Sequence, residues 1–160
     1  MAVQVGDKLP EATFSAASAD GPKPMTTHDV FAGKRVALFA VPGAFTPTCS
    51  ARHLPGFKDK GAELKAKGID AIACVSVNDA FVMQAWAKNQ DVGEDILMLG
   101  DGSAAFSKAI GLDADFSKFG MGLRSQRYAM VVNDGVVEKL WVEQPGAFEV
   151  SSAEYMLEHI

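Results

Sequence analysis

The sequence predicts a mixed α/β domain, a central mixed β-sheet flanked by helices, and three observations carry that expectation. Short continuous apolar runs recur through the first hundred residues, in the pattern of strands buried on both faces. Helical repeats lie between them. After residue 126 the rhythm changes to a hairpin and a closing helix, so that strands alternating with helices give way to an antiparallel end.

The elements follow in order. Val36–Val41 and Ala71–Val75 are the two clearest buried strands, and Ile96–Leu99 is a shorter third. From Thr48 to about Lys67, residues Leu54, Phe57, Gly61 and Leu64 recur on one helical face, with Pro55 expected to kink the helix. Asn78 and Asp79 are placed to cap a second helix carrying Phe81, Val82, Ala85 and Trp86, and Ser103–Ile110 gives a third. Tyr128–Val132 and Val136–Val142 flank Asp134-Gly135, a two-residue hairpin signal. Ser151-x-x-Glu154 reads as a capping box ahead of Ala153, Met156, Leu157 and Ile160.

With 160 residues the chain suffices for one core and is short for two, so residues 1–160 are expected to form a single domain. Fifteen Lys and Arg against twenty Asp and Glu give a net charge of −5 with no basic stripe, which argues against a nucleic-acid partner. The apolar run Val36–Pro42 is far short of the ~20 residues that span a bilayer, and Met1–Pro10 has no signal-peptide pattern, so neither membrane nor secretion is expected. Two cysteines make no disulfide scaffold. The expected location is a reducing compartment, the cytoplasm, with thiols that are structural or reactive.

The informative segment is Val41-Pro-Gly-Ala-Phe-Thr-Pro-Thr-Cys49, where a buried strand ends, a turn follows, and Cys49 opens a helix. Unpaired amides and partial positive charge at a helix start favour thiolate over thiol. The Thr46 hydroxyl can donate to the thiolate or to a substrate oxygen, and Pro42 and Pro47 stiffen the turn so that the loop's remaining amides can be aimed at one small anionic or polar ligand. A buried, inert cysteine is the competing reading of Cys49, and plain core packing that of Cys74 in the strand Ala71–Val75. His53, one turn after Cys49, is expected to serve a structural or dimer-contact role, the competing reading being an imidazolium or base beside the thiolate. One Cys and one His do not complete a zinc site, and His28 and His159 lie in no ligand spacing.

Pro42-x-x-x-Thr46-x-x-Cys49 resembles the active-site signature of the peroxiredoxins, and the longer stretch Pro42–Phe57 resembles their type II subfamily. Similar stretches continue through Ser76–Val82, Trp86, Leu99–Ser103 and Arg124–Tyr128, nearly the whole chain. The element order suits a thioredoxin-like or a flavodoxin-like fold equally; the resemblance implies the thioredoxin-like one. It also implies a thiol-dependent peroxidase. In that enzyme Cys49 attacks the peroxide and becomes a sulfenic acid, Thr46 hydrogen-bonds thiolate and peroxide, Arg127 polarises the peroxide, and Pro42 shields the sulfur. Arg124 is the rival for the arginine role. Thr46, Thr48, Cys49 and Arg127 are the expected substrate-binding residues, and no metal or organic cofactor is needed.

Some type II members carry a further cysteine near the C-terminus that resolves the sulfenic acid, and Glu143–Ile160 contains none. The resemblance then implies an external thiol, glutathione with glutaredoxin or thioredoxin, acting after hydrogen peroxide or an alkyl hydroperoxide has oxidised Cys49. It implies a homodimer as well. Phe45, Phe116, Phe119 and Met121 are expected near loops, as core caps, as a funnel for alkyl peroxides or as a dimer face. A peroxide sensor that relays Cys49 oxidation to partner proteins uses the same chemistry.

Overall fold

The computed structural model describes residues 2–160. Its strands are β1 (Thr13–Ala16), β2 (Lys23–Thr26), β3 (Arg35–Val41), β4 (Ala71–Ser76), β5 (Leu97–Gly100), β6 (Asp113–Asp115), β7 (Leu123–Ser125), β8 (Tyr128–Asn133) and β9 (Val136–Val142). The α-helices are α1 (Thr27–Phe31), α2 (Leu54–Asp59), α3 (Gly61–Ala66), α4 (Ala80–Asn89), α5 (Ala105–Ala109) and α6 (Ala153–His159). Seven strands form one sheet in the order β2-β1-β5-β4-β3-β8-β9, and β6 and β7 form a small second sheet.

The centre of the sheet is parallel, β3 on β4 and β4 on β5, while β8 pairs antiparallel with the other edge of β3. Side chains alternate across a strand, so β3 feeds both faces. Ala37, Phe39 and Val41 join Cys49, Leu54, Phe57, Trp86 and Met156 in one apolar cluster. Val36, Leu38 and Ala40 join Phe14, Phe31, Phe106 and Tyr128 in the other. This is the mixed sheet with helices on both faces that the apolar runs predict.

Asp134 (φ 49°) and Gly135 (φ 80°) both hold positive φ, the geometry a two-residue hairpin requires, and β8 and β9 pair across them as expected. Three helix expectations need correction. The repeat after Thr48 is not one kinked helix: it begins with a π-turn at Cys49–His53, continues as α2 with Pro55 in its first turn, and breaks at Lys60 before α3. Asp79 does cap α4, accepting from the Val82 amide at 2.8 Å, but the buried face is Ala80, Met83, Trp86 and Ala87, and Phe81 is 71% exposed. The cap of α6 is Ser152, whose hydroxyl accepts from the Tyr155 amide; Ser151 is buried one residue earlier and does other work. Adjacent serines offer a cap at either position, and the face each presents to the core decides between them.

Candidate active site

The chain leaves β3 at Val41 and turns back through Pro42–Thr46. Asn78, just beyond β4, ties this turn down: its Oδ1 accepts from the Ala44 amide at 3.0 Å and from the Ser76 hydroxyl at 2.6 Å. Phe45 is held at φ 66°, uncommon for a residue with a side chain, and is half exposed. The helical segment then starts, with the Ser50 amide donating to Thr46 O at 2.9 Å. The Leu54 amide donates to Cys49 O, five residues back, which is the i→i+5 bond of a π-turn, a feature that recurs at functional sites. Trp86 in α4 braces the same turn, its Nε1–H donating to Ser50 Oγ at 3.0 Å.

Cys49 is fully buried, and Arg127 lies against it, with Nη2 3.0 Å from Sγ. The Arg127 guanidinium has a second acceptor, Nδ1 of His53, 2.7 Å from its Nη1. A guanidinium only donates, so Nδ1 is bare and the His53 proton sits on Nε2, from which it donates to the Ser151 carbonyl at 2.9 Å. Burial, and then the Arg127 charge, push the His53 pKa down to about 3. His53 is therefore a neutral acceptor. Its burial removes it from any contact with a partner, and its lone pair is spent on Arg127, so it is neither an imidazolium nor a base for the sulfur.

The other expected residues are distributed around this core. The Thr46 hydroxyl gives its proton to Gly43 O at 2.7 Å and not to Cys49, which leaves its oxygen lone pairs free to accept. Arg124 donates from Nε to Met121 O and from Nη1 to Pro42 O, at 3.0 and 3.4 Å, so it braces the turn and does not reach the sulfur. Pro42, Thr48 and Arg127 line a cleft of about 530 Å³ whose other walls include Phe116, Phe119, Gln126 and Glu143. Cys49 is fully buried and takes no part in that lining; Arg127, which does, also touches its sulfur. Cys74 is buried mid-strand in the same apolar cluster as Cys49; both cysteines are free, and burial pushes the Cys74 thiol up. Among the described residues no three His, Cys, Asp or Glu side chains are grouped to hold a metal ion.

Sequence reasoning missed two members of the site. Glu143, at the end of β9, carries a buried carboxylate, and Ser151 links it to His53. No motif announces either, because their partners are backbone amides and a carbonyl. Together these groups place a fixed positive charge and a neutral hydrogen-bond relay beside one sulfur, an arrangement that stabilises negative charge spread over sulfur and an attached oxygen.

The model of the Redoxin family matches residues 4–157. The chain is 55% identical to peroxiredoxin-2E-2, chloroplastic, of Oryza sativa subsp. japonica, covering 97% of this chain and 71% of that one. It is 45% identical to peroxiredoxin-2B of Arabidopsis thaliana, over 97% of this chain and 96% of that one. The structure of reduced Prx3 from Vibrio vulnificus in complex with hydrogen peroxide superposes with a TM-score of 0.93 at 56% identity, covering 98% of each chain.

Proposed function

This chain belongs to the Redoxin family, as a thiol-dependent peroxidase with the thioredoxin-like fold of the peroxiredoxins, and we propose that Cys49 is its peroxide-reducing residue, served by Arg127, Thr46 and Pro42. The contact of Arg127 Nη2 with Cys49 Sγ at 3.0 Å carries this reading. The Cys49 thiolate attacks the terminal peroxide oxygen; the S–O bond forms as the O–O bond breaks, the proton of the attacked oxygen passes to the departing one, which leaves as water or an alcohol, and the sulfenate takes a proton from water. Cysteine sulfur is oxidised to sulfenic acid and the peroxide is reduced. Arg127 holds charge on the sulfur and on the peroxide oxygens as the O–O bond breaks. The Thr46 oxygen, its own proton engaged by Gly43, accepts the peroxide O–H and so orients the bond in line with the sulfur. Pro42 and the cleft walls exclude water.

The cleft is larger than hydrogen peroxide requires and is walled in part by Phe116 and Phe119, which supports alkyl hydroperoxides as substrates beside hydrogen peroxide. Cys74 is buried within the sheet, which favours an external thiol, glutathione with glutaredoxin or thioredoxin, as the reductant of the sulfenic acid. The exposed Phe45, Phe119 and Leu123 fit a homodimer face, and two free cysteines fit a reducing compartment such as the cytoplasm.

The test is intact mass with peptide mapping after one equivalent of hydrogen peroxide is added to the reduced protein. One added oxygen, confined to Cys49, is expected. Loss of two hydrogens with Cys49 joined to Cys74 overturns the external-thiol reading, and an unmodified Cys49 overturns its assignment as the reactive residue.

A further inference from the structure

We infer that Glu143 is a positioning residue for the peroxide reaction: its carboxylate, acting through Ser151 and His53, holds the Arg127 guanidinium on the Cys49 sulfur. The inference rests on the reading that Arg127 stabilises charge at that sulfur.

One oxygen of Glu143, Oε2, accepts four hydrogen bonds. The amides of Glu149, Val150 and Ser151 donate to it at 2.8, 2.9 and 2.8 Å, and the Ser151 hydroxyl donates at 2.6 Å. Three consecutive amides converging on one carboxylate oxygen form an anion-binding nest, here filled by the chain's own side chain. Burial works against the charged form of Glu143, yet the Ser151 hydroxyl and the three amides outweigh it and hold the carboxyl below its ordinary range.

Ser151 is fully buried and is clamped from both sides. Its amide and hydroxyl point to Glu143, and its carbonyl takes the proton of His53 Nε2. That carbonyl selects the tautomer. While it is in place the proton stays on Nε2 and Nδ1 presents a lone pair to Arg127; without it the proton can move to Nδ1, where it would meet the Arg127 N–H head on. The guanidinium would then lose one of its two acceptors and swing away from Sγ. The same loop touches the site a second time through Phe148, whose ring packs 5.0 Å from the His53 ring and lies 5.8 Å from the Arg127 guanidinium carbon. Glu143 is also joined to Arg127 by the main chain, its amide donating to Arg127 O at 3.0 Å. Both ends of Arg127 are thus referred to one residue.

The experiment is a double-mutant cycle on the reduced full-length protein, reading the second-order rate constant of Cys49 with hydrogen peroxide by stopped flow in Glu143→Gln, Arg127→Ala and the double variant. Glu143→Gln is expected to slow the reaction about tenfold in the native background. With Arg127 already removed it should cause no further loss, because it acts through that side chain. In parallel, nitrogen NMR of histidine-labelled protein should show the His53 proton on Nε2 in the native chain and partly transferred to Nδ1 in Glu143→Gln. A merely structural role would slow both backgrounds alike and leave the tautomer unmoved, and either result overturns the inference. If Glu143→Gln does not fold, Ser151→Ala replaces it. That change deletes only the hydroxyl donor, and a loss of about threefold that vanishes without Arg127 is expected; an unchanged rate in Ser151→Ala overturns the inference. An Arg127→Ala rate equal to that of the native chain overturns the role of Arg127 itself. A slow Arg127→Ala beside a native-like Glu143→Gln overturns the present inference alone.

Discussion

Nη1 of Arg127 donates to Nδ1 of His53 across 2.7 Å, between residues 74 positions apart in the chain. The bond orients the guanidinium so that its other nitrogen faces Cys49, and, second to burial, the charge it brings keeps a histidine one helical turn from that sulfur neutral. A planar fork with two divergent donors is needed to reach both acceptors at once.

Lysine at position 127 has three donors on one nitrogen at the end of a flexible stem and lacks the rigid fork whose two nitrogens make these two contacts. Arg127→Lys is expected to slow the reaction of Cys49 with hydrogen peroxide about a hundredfold, in the range lost with one preorganised charge-stabilising donor. Stopped-flow fluorescence of Trp86, bonded to the residue after Cys49, reads that rate. A loss below threefold would count against the two-acceptor geometry.

His53 makes folding sensitive to mild acid. Its folded pKa, about 3, lies below the ordinary value of 6.5, so below pH 6.5 the unfolded chain binds a proton that the native chain refuses. The stability that the neutral ring supports is complete above pH 6.5 and is lost as the pH falls from there toward 3, at about 1.4 kcal/mol per pH unit. Urea unfolding from pH 7 to pH 5 should therefore show a fall of about 2 kcal/mol. His53→Gln, which offers an acceptor and a donor but does not titrate, should flatten that fall; an equal slope in the variant would place the proton uptake elsewhere.

Thr46 separates hydrogen bonding from shape. Thr46→Val keeps the branched volume but has no oxygen to accept a peroxide O–H and no proton for Gly43, and the peroxide rate should drop by about two orders of magnitude. Thr46→Ser restores both bonds and should stay within about fivefold of the native rate. Equal rates in the two variants would mean that the hydroxyl takes no part.

Gly100 guards the active-site turn from a distance. A Cβ placed there would meet Asn78 O and Ser15 O at 2.9 Å and Ala80 N at 3.1 Å, all backbone atoms that cannot step aside cheaply. Asn78 is the residue that ties down Ala44. Gly100→Ala is expected to cost about 1–3 kcal/mol in chemical unfolding, with a slower peroxide reaction in the fraction that remains folded. Native stability in this variant would show that β5 and the Asn78 loop are free to separate.

Elements whose signal is local were legible. The hairpin was readable because Asp134 and Gly135 tolerate the positive φ that the turn demands, and β3 because it is apolar on both faces. The π-turn was not, since a five-residue hydrogen bond leaves no periodic trace in so short a stretch. Phe81 has the composition of a core residue but faces outward, and only the packing of α4 on the sheet reveals the rotation. Within the site, Cys49, Thr46 and Pro42 lie inside one short motif, whereas only the family resemblance points to Arg127 and no sequence signal points to Glu143. Convergence of β8, β9 and the loop before α6 on one sulfur is a property of the folded sheet.

The π-turn at Cys49–His53 takes up one residue more than an α-turn would between the Cys49 carbonyl and the Leu54 amide, so Cys49 and α2 keep the relative azimuth of a plain helix. Deleting one residue from Ser50–Arg52 would let the same carbonyl and amide close an ordinary α-turn, with Leu54 and Phe57 still seated in the core. The extra residue is an insertion that the fold absorbs within one turn, without re-aiming what stands on either side of it.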